Sequence, residues 1–352
     1  MNRSLLPLVV VLVAAACTGR SPAPEATTTP AREIVLMTHD SFAASDEVLA
    51  AFEDETGARI AILEAGDAGT MLNQAILTKD DPIADVLYGI DNTFLGRGLA
   101  EGIFLPYESP LLDDVDPTLL PTDVDPDHRV TPIDYGDVCI NYDATFFTEL
   151  DPPATLEDLV EPAYRDLLVV EDPATSSPGL AFLLATIARF PEDSGYPWTR
   201  YWEELVANGV EIAPDWEQAY YGRFSGGSGE GDRPLVVSYA SSPVAEAYFG
   251  ELDEPPTGVV VDGCFRQVEY AGILRGTRRE DLARRLVDFL LSPTFQEDIP
   301  LNMFVFPANT EAGLPEVFVE HAVIPGSPLG LDPELIDARR EEWIRTWTEI
   351  VR

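Results

Sequence analysis

Apolar and polar positions along this chain switch repeatedly between a period near two and a period near 3.6. Residues 33–40 (EIVLMTHD) are a β-rich apolar run that ends in polar residues. Residues 45–56 (SDEVLAAFEDET) put Val48, Leu49 and Phe52 at helical spacing behind an N-capping serine, and Gly57 stops the helix. Residues 58–63 (ARIAIL) predict a second strand, 69–79 (GTMLNQAILTK) a second helix, and 84–90 (ADVLYGI) a third strand followed by a helical TFLGRGLAEG. Strand and helix alternate, which predicts a parallel α/β sheet. Ligands in such sheets sit at the carboxyl ends of the strands, here His39-Asp40-Ser41, residues 64–69 and Asp91-Asn92.

A Pro- and Asp-rich loop (106–128) leads to a second α/β unit. Its expected strands are 138–143 (VCINYD), 167–172 (LLVVED), 209–213 (GVEIA) and 234–240 (PLVVSYA). The loop PATSSPG opens a hydrophobic helix, GLAFLLATIARF. Residues 263–274 (GCFRQVEYAGIL) read as a strand returning toward the first unit, and helices over 280–292 and 333–352 flank the loop PLNMFVFPAN. The Gly-rich GGSGEGD (226–232) follows no strand and lacks the lysine of a phosphate loop, so it carries no nucleotide role.

Charge narrows the partners. With 62 acidic against 22 basic residues the net charge is −40, which excludes the basic footprint of a nucleic-acid binder. The excess suits a soluble surface, a secreted or high-salt setting, or the attraction of cations. At the N-terminus, Arg3 precedes the short apolar run LLPLVVVLVAAA and then Cys17, the order of a secretory signal. AAAC resembles the lipobox of bacterial lipoproteins, which implies lipidation at Cys17. Residues 18–31 (TGRSPAPEATTTPA) read as a flexible tether. Cys139 and Cys264 remain in an exported chain, where disulfides persist; two cysteines allow one pairing, with two separate buried thiols as the alternative.

Taken together, THDSFA, EAGDAGT with the LNQ helix, ADVLYGIDNT, DYGDVCINYD, EDPATSSPGLAFLL, DWEQAYY, VVSYASSP and LLSPTFQEDIPLNMFVFPAN resemble, in order, the thiamine-binding periplasmic or lipoprotein family, the solute receptors of thiamine ABC importers. The resemblance covers about residues 33–310. It implies an α/β fold of two lobes joined by crossing strands (the type II periplasmic-binding-protein fold), with the ligand cleft between them. The implied organisation is a signal over 1–17, the tether 18–31, a first lobe over 32–134 completed by about 266–310, a second lobe over 135–262, and a C-terminal helical segment over 311–352. It also implies a monomeric receptor, free of cofactors and held outside the membrane, that passes thiamine or its phosphate esters to permease subunits. In that fold we expect Cys139 and Cys264 to bridge the two crossing segments near the hinge.

The same resemblance assigns the contacts. Trp216 matches a ring-binding tryptophan; a flat cationic thiazolium over an aromatic face gains roughly 0.5–2 kcal/mol. The other reading of Trp216 is a tryptophan packed between lobes. Tyr239 ends the strand LVVSY and matches a contact, with Ala240, Ser241 and Ser242 following it. Ser176 and Ser177 open a helix beside Pro178, where N–H groups attract anions or hydroxyl oxygens, although plain helix capping would use them too. Asp67, with Ala68, matches an acidic contact for the exocyclic amine or the thiazolium charge; another placement of the loop puts Ala65 and Gly66 there. His39 and Asp40 follow the first strand, and His39 stands where some members carry tyrosine. Phe304 stands where some carry tryptophan and keeps a stacking face.

Two rival readings follow from the same residues. Ferric-ion receptors share the fold and use adjacent tyrosines, an early histidine and a carboxylate, a set that Tyr220, Tyr221, His39 and Asp40 are able to imitate. A receptor for another cationic heteroaromatic solute is the other. An enzyme is not expected: His39, His128 and His321 lie in separate segments, and no Gly-x-Ser-x-Gly or HExxH motif occurs. A thiamine-degrading transferase of similar fold needs a cleft cysteine, whereas Cys139 and Cys264 sit nearer the crossovers.

Overall fold

Strand β1 (Arg32–Thr38) runs parallel to β2 (Ala58–Glu64) on one side and β3 (Val86–Asp91) on the other. The helices between them form for local reasons. Ser45 accepts a hydrogen bond from the Val48 amide at the start of helix Asp46–Thr56, and Gly57 ends it in the left-handed region at φ 68°. Asp67 caps helix Ala68–Leu77 in the same manner. The computed structural model describes residues 32–352; the expected signal, Cys17 and the tether lie outside the described residues. Among the described residues no helix is long and apolar enough to cross a membrane.

The remaining strands are β4 (Thr131–Asp143), β5 (Leu168–Glu171), β6 (Glu211–Ala213), β7 (Leu235–Tyr239), β8 (Thr257–Ile273) and β9 (Phe306–Pro307). One sheet joins them in the order β2-β1-β3-β8-β4-β7-β5-β6, with β9 on β4. The strands at each end are parallel, as β1–β2–β3 and β7–β5–β6, and the long β4 and β8 cross the middle antiparallel to each other. The apolar pattern reveals only the second half of β4, because Asp134 and Asp137 interrupt its first half. Both carboxylates are buried against partners: Asp134 accepts from the Tyr88 hydroxyl, and Asp137 takes both arms of Arg266 at 2.8 Å. A strand that pairs its charges internally hides from a hydropathy reading.

Two hydrophobic cores flank this crossing. One gathers Ile34, Phe52, Leu72, Tyr88, Ile273 and Leu286; the other gathers Val170, Leu184, Trp198, Trp202, Val237 and Trp343. Each fully buried large apolar side chain contributes about 1.5–3 kcal/mol, so each lobe has a core of its own. The C-terminal helix Pro333–Val351 belongs to the second core through Ile336, Trp343 and Trp347, with Trp347 edge-on to Trp202 at 5.5 Å. It also reaches the first lobe, where Arg340 lies 4.6 Å from the Phe94 ring centroid.

Cys139 on β4 and Cys264 on β8 form a disulfide, closing a sequence separation of 125. The bridge joins the two crossing strands and packs on Ala240, next to the end of β7. The separate-thiol alternative is therefore not what this structure adopts.

Candidate functional site

The parallel strands at both ends of the sheet aim their carboxyl ends at one cleft. From the first lobe these ends deliver His39 after β1 and Asp67 after β2; from the second they deliver Ser176 and Ser177 after β5, Trp216 after β6 and Tyr239 at the end of β7. Together they line a cavity of about 560 Å³. Asp40, Ala68, Ser242 and Phe304 line it too, so most of the residues singled out above converge. Ala240 and Ser241 do not. Both are buried: the Ala240 amide donates to Asp137 O, and the Ser241 hydroxyl donates to Phe304 O at 2.5 Å. They hold the wall rather than face the cavity.

Trp216 presents an aromatic wall. It is half-buried, its ring stacks on Tyr220 with centroids 5.0 Å apart and planes 20° apart, and Tyr221 meets it edge-on at 5.4 Å. Its Nε1–H donates to Ser238 Oγ at 2.9 Å, and Ser238 shares a further hydrogen bond with Ser242 at 2.8 Å. The local fold that permits this is a π-type turn over Gln218–Arg223, a rare conformation frequent at functional sites. It turns Tyr220 under the indole and leaves Tyr221 at the rim. Tyr220 is buried and its hydroxyl donates to Glu246 Oε1 at 2.9 Å. Burial and the Glu246 charge push its pKa well above the ordinary tyrosine value, so it remains a phenol.

The cleft is otherwise acidic. Asp40, Asp67, Asp134, Glu246 and Glu269 line it, and among the described residues His39 is the one basic side chain that does. His39 Nε2 lies 3.1 Å from Glu269 Oε2. Burial alone would lower the imidazolium pKa, but the charge and hydrogen bond of Glu269, with Asp134 and Asp40 beyond it, outweigh that and push it up to about 9. The ring has room because Gly89 bulges β3 at φ +103°; a side chain there would run into it. Asp134, buried and near the Glu269 charge, has its pKa raised well above the carboxylate range.

Carboxylates also bridge the lobes. Asp67 Oδ2 accepts from the Ser177 amide at 3.3 Å, and Asp91 Oδ2 accepts from the Ser177 hydroxyl at 2.5 Å and from Gln267 Nε2 at 3.2 Å. Burial first, with the charges of Asp91 and Asp40, raises the Asp67 carboxyl to about 6 against the hydrogen bonds from Gly69 and Ser177. Phe304 holds a left-handed backbone at φ 54°, unusual for a non-glycine residue, and packs 5.2 Å from Phe249, which also lines the cleft.

Sequence reasoning missed Glu269, Gln267, Asp134, Glu246 and Phe249. Glu269 and Gln267 alternate on β8 and so share one face; that period-two spacing was the available signal. In a chain this rich in acid, single carboxylates carry no signal of their own. Among the described residues no group of three or more His, Cys, Asp or Glu side chains is spaced to hold a metal ion.

The family model for bacterial extracellular solute-binding proteins matches residues 81–323. The thiamine-binding periplasmic protein of Escherichia coli is 29% identical over 322 residues, covering 90% of this chain and 93% of its own. The solved structure of a periplasmic thiamin binding protein is similar with a TM-score of 0.78 at 27% identity, covering 91% of this chain and 96% of its own. Iron-bound HitA of Pseudomonas aeruginosa shares the fold, with a TM-score of 0.71 at 18% identity over 91% of this chain and 99% of its own.

Proposed function

This chain belongs to the bacterial extracellular solute-binding proteins, and from that premise we propose that it is the thiamine receptor of an ABC importer. It takes up the vitamin in the cleft between its lobes and delivers it to membrane permease subunits by lobe closure. The lobes we assign are 32–134 with about 266–310, and 135–262. Cys17, lipidated, anchors the receptor to the outer face of the membrane through the 18–31 tether, and it acts as a monomer without turnover.

The observation that carries this reading is the pairing of an indole face at Trp216 with a cleft lined by Asp40, Asp67, Glu246 and Glu269 and, among the described residues, by no arginine or lysine. A permanently cationic, flat heteroaromatic ring needs both: the face for cation–π attraction, the charge for long-range and local neutralisation. The iron reading is disfavoured by the same geometry. A phenolate ligand at Tyr220 would have to surrender its hydrogen bond to Glu246 and ionise while buried, and the neighbouring carboxylate opposes that. Thermal melting with each candidate tests the choice. A ligand present at about 100 times its Kd stabilises by about 2.7 kcal/mol. Thiamine is expected to raise the melting temperature and Fe(III) is not. Stabilisation by Fe(III) with a phenolate colour, and none by thiamine, would replace the reading with the iron one.

A further inference from the structure

The Gly-rich run at 226–232, which carries no nucleotide role, folds back on the turn that bears the aromatic wall. The Glu230 amide donates to Tyr221 O and the Gly231 amide to Phe224 O, both at 2.9 Å. The Ser228 hydroxyl donates to Glu246 Oε1 at 2.7 Å, the same oxygen that accepts the Tyr220 hydroxyl at 2.9 Å. Gly227 makes this approach possible. It sits at φ +56°, and a side chain there would run into the Glu246 carboxylate. Glu246 stands on helix Ser242–Gly250, where Ser242, Ala245, Glu246 and Phe249 recur at i, i+3, i+4 and i+7 and all line the cleft. One carboxylate oxygen thus joins three segments: the cleft-facing helix, the Gly-rich run and the aromatic turn.

We infer, resting on the thiamine reading above, that Glu246 is a positioning residue: it fixes Tyr220, and through Tyr220 the plane of the Trp216 face that receives the ligand. Tyr220 lies beneath the indole with the two planes 20° apart, so a tilt of the phenol tilts the face. The O–H of that phenol is spent on Glu246, and its other ring neighbour, Phe224, meets it at a 44° tilt rather than in a stack. Glu246 differs in this from a plain counter-ion. Its Oε1 already accepts two hydroxyls, which draw its charge toward the protein and leave its main effect on affinity geometric. A face fixed beforehand avoids the ordering cost of the side chains that form it. Losing the tie should therefore weaken thiamine binding about tenfold.

Two measurements on the purified protein test this: thiamine affinity, and acrylamide quenching of tryptophan fluorescence without ligand. Trp198, Trp202, Trp343 and Trp347 are buried, so the quenching reports Trp216. Glu246→Ala should raise the Kd about tenfold and make Trp216 more readily quenched. Glu246→Gln, whose amide oxygen still accepts both hydroxyls, should stay within about threefold of the wild-type Kd and keep its quenching. Tyr220→Phe keeps the ring and cuts the tie, so adding it to Glu246→Ala should cost nothing beyond the larger single loss. Equal losses in the alanine and glutamine variants make Glu246 a plain charge and overturn the inference. Additive losses with Tyr220→Phe, or an unchanged Kd in Glu246→Ala, overturn it too. If Glu246→Ala does not fold, Tyr220→Phe decides: a severalfold weaker Kd with greater quenching supports the tie, and wild-type behaviour overturns it. Failure of the wild-type protein to bind thiamine overturns the thiamine reading instead, and the ligand-free quenching still decides whether Glu246 fixes the indole.

Discussion

Replacing Trp216 by alanine removes the indole from the cleft while leaving its supports in place. One face of that ring rests on Tyr220, 5.0 Å away between centroids, and its N–H is spent on Ser238, so the ring is fixed before ligand arrives. A pre-set face has little ordering entropy left to lose on binding. Truncation then forfeits a desolvated cation–π contact of about 2 kcal/mol, equivalent to about thirtyfold in Kd. Stability should change far less. Trp216 is half-buried, Ser238 keeps its hydrogen bond to Ser242, and Tyr220 keeps Phe224 as a neighbour at 5.5 Å. A loss of about 1 kcal/mol is the ordinary expectation for such a site. Trp216→Phe should retain part of the affinity, since a weaker face remains. Tyr221→Ala, at the exposed rim, should change little. The assay is calorimetric affinity for thiamine measured with melting on the same samples. Unchanged affinity in Trp216→Ala, or a collapse in melting that explains the affinity loss, refutes the reasoning; dominance of Tyr220 and Tyr221 points to iron.

Three further outcomes are expected. His39 is pushed from 6.5 to about 9 by Glu269; a raised histidine stabilises fully below the unfolded value and loses that contribution as pH rises through about 9. About 3 kcal/mol should therefore fade between pH 6.5 and 9, and Glu269→Gln should flatten that part of the melting-versus-pH curve; identical curves contradict the pairing. Asp67, raised to about 6 by burial, is protonated and neutral below that pH. Thiamine affinity should then rise severalfold from pH 5 to 7 and level off above, and Asp67→Asn should abolish the rise; a flat wild-type profile sinks the assignment. Reducing the Cys139–Cys264 bridge, which closes a separation of 125 residues, should lower stability by about 2–4 kcal/mol on the chain-entropy account. Mass spectrometry of the non-reduced protein showing two free thiols would contradict the bridge itself.

Much of the fold was legible because its elements announce themselves locally. Ser45 and Gly57 bracket a helix that runs over Asp46–Thr56, and the apolar runs at 33–40, 58–63 and 84–90 became β1, β2 and β3 within two residues. The order of the sheet was less so, since β4 and β8 pair across a separation no local pattern encodes. Helices Trp198–Ala207 and Ser242–Gly250 went unread: one is hidden in an aromatic-rich stretch, the other follows a serine pair that reads as loop. In the cleft, aromatic and serine positions stood out by type, whereas Glu269 and Asp134 were lost among 62 acids. Their meaning comes from burial and from His39 and Tyr88, partners distant in sequence. Ala240 and Ser241 show the converse, since adjacency to Tyr239 did not make them face the cavity.

Isothermal calorimetry of thiamine added to residues 32–352 at neutral pH measures directly whether the cleft takes this cation. Saturable binding at one site per chain, lost by about thirtyfold in Trp216→Ala, is the expected result. No heat with thiamine at millimolar concentration, in protein that melts cooperatively, would contradict it.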